Sequence, residues 1–568
     1  MKSTELLGEP QLAASSIVRG VSAFLLTPLK AVGAAGGTPA TPRGSVSGLA
    51  RIDEEALIRL IERAVAARVD SIAVLGSTGS YMYLSAAERE QVVRTAVQHA
   101  SGIPVLVGVG AIATSEVLEH VRAAEAAGAA GLVVAPVSYQ RLNDEEVFGL
   151  FEDVTACATV PVIVYDNPTT TGFTFSLDLY ARVAALPGVA SIKVPPPPAG
   201  LAAATAHIDA IRKRLPAHVT IGVSGDASAA LGLAAGCDAW YSVIAGVMPQ
   251  AAMQLASEVW AGAAGRPAER PAERAAEAAS EAALDPDQAG AAGGSMVRDA
   301  LRPLLSLFAD YGSLRVAVAV AEELGLVAEG SLPRPLLGLD AEGRARVSEA
   351  LRVAAVATGL GDSDPRERLE AAMAAGTDPA PEFVQLLLSR IGVETDFQVR
   401  EMLTWAIVRH SERMAESPSW GPGIDLVPVL LEGLNSESSI ARAQSLHTLT
   451  KLNPHNITGQ EVGRHVSVDL LHDADDEVAR TAWRAAVQLW PDEASAGLAS
   501  ELVRELGRGD REVMRSLARA LVGLGDEGVD AVQGALMNPS TGARARAHAE
   551  AVLRLAEDPE STFWIEVP

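Results

Sequence analysis

Val189-Ala-Ser-Ile-Lys193-Val-Pro195 is an apolar run that reads as a buried strand with one lysine near its end. The chain carries 46 Lys and Arg together, yet its lysines are only Lys2, Lys30, Lys193, Lys213 and Lys451. Surface cations elsewhere are almost all arginine, so a lysine among Val, Ala and Ile asks for a chemical reason. An ε-amino group desolvated by apolar walls has a lowered pKa, keeps a free lone pair near neutral pH and can condense with a ketone. Arginine cannot. The plainer alternative is a strand-end lysine that snorkels to solvent.

Working outward, short β-rich runs alternate with helix-like segments. The strand candidates are Val21–Thr27, Asp70–Gly76, Val105–Val109, Gly131–Ala135, Val162–Tyr165, Val189–Lys193, Val219–Val223 and Ala239–Ile244. Between them lie periodic segments such as Glu54–Arg68, Ser85–His99, Ser115–Ala127, Asp144–Ala158 and Ser176–Ala185, several opened by a capping Ser or Asp. Eight such units predict an α/β (β/α)8 TIM barrel, with its active site at the C-terminal ends of the strands. Lys193 ends the sixth strand.

Residues 1–19 read as an N-terminal extension and 20–357 as the barrel domain. Two low-complexity pieces interrupt it: Ala31–Gly48, expected to be a mobile loop, and 262–295, expected to be a disordered insertion between outer helices. Residues 358–365 have linker composition. From 366 to 568 the strand pattern vanishes and an all-α repeat takes over. Val399, Ile440, Val478 and Val513 head similar helices, each followed by a basic residue one or two positions on, at spacings of about 35–41 residues. That period resembles HEAT repeats, whose helix pairs stack because no single pair buries its own apolar face. Trp405, Trp483 and Trp490 read as core of these helices.

A formal net charge of -25 argues against nucleic acid or anionic membrane as partner. Cys157 and Cys237 offer no metal spacing and suit a reducing compartment. The ten histidines are scattered without paired ligand spacing. No apolar run reaches the roughly 18 residues of a membrane span. The expectation is a cytoplasmic protein with no metal, no nucleic-acid and no membrane partner.

Three loops at expected strand ends bring polar groups together: Gly76-Ser-Thr-Gly-Ser80, whose amides and hydroxyls can converge on a carboxylate; Tyr165-Asp-Asn-Pro168, next to the Lys193 strand; and Ser224-Gly-Asp226, itself a common turn. In this order these motifs resemble the dihydrodipicolinate synthase/N-acetylneuraminate lyase superfamily over about residues 20–261 and 296–352. The resemblance implies a lysine-dependent class I aldolase or lyase handling pyruvate or a related 2-oxo acid, without a cofactor other than a covalent imine on Lys193. It implies Lys193, Tyr165 and Thr78 as catalytic residues. Tyr139, in Val134-Ala-Pro-Val-Ser-Tyr139, matches in one register the second tyrosine that some members lend across a dimer interface. Gly76, Ser77, Thr78, Gly79, Thr170, Ser224 and Gly225 would line the substrate, and a homo-oligomer is expected.

Two departures bear on the substrate. The glutamate that often closes the signature turn is Ser80, and the arginine that grips the second substrate's carboxylate in lysine-biosynthetic members aligns with Thr170. A less charged partner, sugar-derived or aliphatic, fits Thr169–Thr171 better than aspartate semialdehyde does. Residues 366–568 would recruit a protein partner. The competing expectation is an inactive or sensor-type barrel within a scaffold protein.

Overall fold

The computed structural model describes residues 17–30, 51–262, 296–416, 426–452 and 467–558. The chain divides into two compact units, Met1–Ala354 and Ala355–Pro568.

In the first unit eight parallel strands close into a barrel: β1 Gly20–Phe24, β2 Ser71–Val74, β3 Val105–Gly108, β4 Gly131–Val134, β5 Val162–Tyr165, β6 Val189–Val194, β7 Thr220–Val223 and β8 Ala239–Ser242. Each pairs with the next in sequence, and β8 closes on β1 with Gly20 opposite Ala239. The expected TIM barrel is therefore present, strand for strand. The strands are buried on both faces, which explains their near-continuous Val, Ile, Leu and Ala. Outward residues such as Ile72, Val107, Val164 and Ile192 join the helix-facing core, while Phe24, Leu106, Val133, Ile163, Tyr165 and Tyr241 fill the barrel.

The helices start where local chemistry predicts. Asp53 caps Glu54–Ala66, Ser85 and Asn143 form capping boxes with Glu88 and Glu146, and Ser176 caps Leu177–Ala184. Leu29–Lys30 and Arg51–Ile52 form a two-stranded ribbon that the sequence did not signal. The expectations for Ala31–Gly48 and for 263–295 lie outside the described residues.

The second unit is helical throughout its described residues, from Pro365–Thr377 to Ala543–Glu557. Asp364, Asp396, Ser438, Asp475 and Asp510 each accept a backbone N–H at the start of a helix. The acidic run at 473–477 is accordingly occupied with helix initiation at Asp475 and an ion pair from Arg442 to Asp473. Arg368 and Arg442 make the same pattern: one guanidinium nitrogen donates to the two carbonyls before its helix, while the others form a bidentate pair with Glu394 or Asp473. Trp483 is core, its indole N–H donating to the Leu471 carbonyl. Trp405 departs from expectation at 40% exposed, because its helix turns that position outward. Thr358–Leu360, within the segment read as a linker, belong to helix Ala341–Leu360.

Candidate active site

The position of Lys193 depends on an irregularity in its strand. The pairing of β5 with β6 shifts between Val162 opposite Val189 and Ile163 opposite Ser191, leaving Ala190 as an extra residue. Val189 faces the helices. Under strict alternation Lys193, four residues on, would face them too. The bulge changes the phase and turns the lysine into the barrel, opposite Tyr165.

There Lys193 is 4% exposed. Its Nζ lies 3.7 Å from the ring centroid of Phe24, 4.8 Å from that of Tyr165 and 5.7 Å from that of Tyr241. Gly222, its neighbour on β7, leaves room for this box, since a Cβ there would stand 2.2 Å from the Tyr241 ring. Tyr241 is anchored by a 2.7 Å hydrogen bond between its hydroxyl and Ser191. Burial lowers the Lys193 pKa to about 7, against the opposing charge of Asp226. A substantial neutral fraction therefore exists at physiological pH.

Asp226 is itself buried, which raises its pKa. It accepts from the Ser242 hydroxyl at 2.6 Å and from the Val243 amide at 3.2 Å, tying the end of β8 to the loop after β7.

On the other side of the lysine, the Tyr165 hydroxyl is 3.0 Å from Ser77 Oγ and accepts from Asn167 Nδ2 at 3.1 Å. Asp166 turns away to accept from the Tyr180 hydroxyl, and burial pushes its pKa up to about 6. Ser77 is delivered by a tight turn in which Leu75 and Ser80 adopt positive φ. A Cβ at Gly79 would meet the Leu75 nitrogen at 2.8 Å. Gly76, Ser77, Tyr81, Gly110, Ala135 and Tyr165 are among the walls of one narrow cavity that opens to solvent. Tyr165 lines this cavity, and its ring centroid lies 4.8 Å from the Lys193 amine.

The structure brings Lys193, Tyr165, Ser77 and Gly76 together, with Thr78 buried and Gly79 in the same turn. Ser224 spends its hydroxyl proton on the Val194 carbonyl at 2.8 Å, and Gly225 sits at positive φ against Pro196, where a Cβ would be 2.6 Å away. Thr170 is exposed on the short helix Pro168–Thr171. Tyr139 stands apart, 87% exposed. Sequence reasoning missed Phe24, Tyr241 and Tyr81, which carry no motif, and read Asp226 only as part of a turn.

The family model for dihydrodipicolinate synthetases matches residues 41–274. A 4-hydroxy-tetrahydrodipicolinate synthase of Hyphomonas neptunium is 35% identical over 219 residues, covering 36% of this chain and 70% of that protein. The chain belongs to the dihydrodipicolinate synthetase family. A second relative, the 4-hydroxy-tetrahydrodipicolinate synthase of Phenylobacterium zucineum, is 36% identical over 145 residues, 25% of this chain and about half of that protein, 49%. The crystal structure of dihydrodipicolinate synthase from Agrobacterium tumefaciens is 35% identical, with a TM-score of 0.50, and covers 60% of this chain and 99% of that one. The dihydrodipicolinate synthetase family uses a lysine Schiff base with pyruvate and needs no separate cofactor. Among the described residues, no helix is long and apolar enough to cross a membrane, and no His, Cys, Asp and Glu cluster could hold a metal ion.

Proposed function

We propose that the barrel is a Schiff-base-forming class I aldolase or lyase that breaks or makes a C–C bond in pyruvate-derived 2-oxo acids. The observation that carries this reading is the buried Lys193 amine, with a pKa of about 7, next to the Tyr165–Ser77 hydroxyl pair. The neutral amine adds to the ketone carbon, and loss of water leaves an iminium. In the cleavage direction the electrons of the C3–C4 bond move into the iminium as an enamine, while the C4 hydroxyl gives up its proton. Tyr165 can take that proton as it passes its own to Ser77, whose hydroxyl releases its proton to water at the open end of the cavity, so the phenol and the serine both end neutral. Ser77, Thr78 and the backbone of Gly76 and Gly79 hold the substrate carboxylate in this reading, with Thr170, Ser224 and Gly225 at the rim.

The cavity walls bear hydroxyls and apolar groups and no cation. That favours an uncharged aldehyde partner over aspartate semialdehyde. Family members usually form oligomers, and the exposed Tyr139 is free to serve the site of a second copy. The second unit we read as a HEAT-like stack for a protein partner, supported by its capped helix starts and repeated arginine pairs. We place the protein in the cytoplasm.

The test is borohydride trapping. After incubation with pyruvate, reduction and digestion, mass spectrometry should find the adduct on the Lys193 peptide and none in Lys193→Ala. No adduct with pyruvate or longer 2-oxo acids would favour the inactive or sensor barrel, for which Ser80 and Thr170 already stand in place of the family's charged residues.

A further inference from the structure

Tyr81 belongs to none of the motifs that point to the chemistry, yet it lines the same cavity as Ser77 and Tyr165. The turn at Ser80, with φ 55, leads into the one-turn 3-10 helix Tyr81–Tyr83, which sends Tyr81 inward and leaves Met82 and Tyr83 exposed. Gly110 forms the slot for its hydroxyl, since a Cβ at that position would lie 2.8 Å from the phenol oxygen. The Arg89 guanidinium, 5.2 Å from the Tyr81 ring centroid, donates to the Gly110 carbonyl at 3.0 Å and holds slot and ring in register. Burial and the neighbouring Tyr165 raise the Tyr81 pKa, with Arg89 opposing, so the phenol keeps its proton at neutral pH. The Tyr165 oxygen is already engaged by Ser77 and Asn167, whereas among the described residues no hydrogen bond is assigned to the Tyr81 hydroxyl.

We infer that Tyr81 is a specificity-determining donor that binds a hydroxyl on the aldehyde half of the 2-oxo acid, at C5, one carbon past the C4 that becomes the aldehyde carbon. This rests on the Schiff-base reading and names its substrate class: polyhydroxylated 2-oxo acids. A neutral phenol among apolar walls satisfies a hydroxyl but cannot offset desolvation of a carboxylate.

The experiment measures the concentration giving half-maximal borohydride trapping on Lys193 for two acids of equal length, 4,5-dihydroxy-2-oxohexanoate and 4-hydroxy-2-oxohexanoate. The wild type should favour the dihydroxy acid by roughly 10- to 100-fold, the range for one donor left unpaired. Tyr81→Phe, which keeps the ring, should remove that preference. Gly110→Ala, which crowds the phenol oxygen, should reduce it in the same direction. Trapping without a wild-type preference, or a preference unchanged in Tyr81→Phe, overturns the role of Tyr81 alone. Absence of any wild-type adduct, pyruvate included, overturns the Schiff-base reading and this inference with it.

Discussion

An amine enclosed by Phe24, Tyr165 and Tyr241 carries a free-energy cost, and the proposed Schiff-base reaction needs the neutral amine that this cost produces. The Lys193 pKa falls from 10.5 to about 7, chiefly through burial. Because the folded value lies below the unfolded one, the penalty is absent above pH 10.5, grows as pH falls and is complete below about pH 7. At neutral pH it amounts to roughly 4 kcal/mol. Lys193→Met, which keeps the apolar stem, should therefore raise the thermal unfolding temperature of the barrel at pH 7, with the gain vanishing as pH approaches 10.5. In the proposed reaction the same shift sets the pH dependence. The rate of pyruvate adduct formation should climb with pH through an acid limb near 7 and then level, as measured by single-time-point trapping across a pH series. Among the site residues, Lys193 was legible because a lysine is rare in an apolar strand, and Tyr165 because its Tyr-Asp-Asn-Pro stretch resembles a family motif. Tyr81, Phe24 and Asp226 were not, since an aromatic at a core position or an acid in a turn looks the same whether or not it faces a reacting group.

At the scale of elements, the barrel strands and helix starts were legible because their signals are local: apolar runs of four to six residues and capping side chains at fixed offsets. The phase of β6 was not. A bulge arises from pairing with β5, so alternation within Val189–Val194 cannot reveal which face Lys193 takes. In the helical unit the capped helix starts were visible in the sequence, but the exposed face of Trp405 was not. The arginine pairs there make a sharp prediction. Burial raises the Glu394 pKa, but hydrogen bonds from Arg368, the Asp396 amide and Arg390 together outweigh it and hold the carboxyl at about 2. The stabilisation is present above the unfolded value of 4.5 and is lost as pH falls through about 2. Glu394→Ala leaves Arg368 buried without its counter-charge, and should cost about 3–5 kcal/mol in denaturant unfolding of that unit. Asp475→Ala, which removes a helix cap and a hydrogen bond with Ser439 but leaves no buried charge unpaired, should cost less, about 1–2 kcal/mol in the same measurement.

For the whole molecule, every residue assigned to the chemistry lies in the first unit. A chain ending at residue 364 should still form the Lys193 adduct, tested by the same trapping. Loss of the adduct in a soluble, folded 1–364 protein would show that the helical unit contributes to the site. The charge of -25 belongs to this scale as well, since it acts through the summed field and disfavours polyanionic partners whatever the local packing.

By itself the sequence determined the eight-strand barrel, the helical character of the remainder, the lysine and tyrosine at adjoining strand ends and the glycine-rich turn beside them. These rest on periodicity, capping and residue chemistry, which act over a few neighbours along the chain. Only the tertiary structure decided that Lys193 faces inward, that three rings from β1, β5 and β8 enclose its amine, and that Tyr81 and Ser77 share a cavity with Tyr165. Those facts depend on strand register and on side chains far apart in sequence meeting in one volume, and no local pattern encodes them.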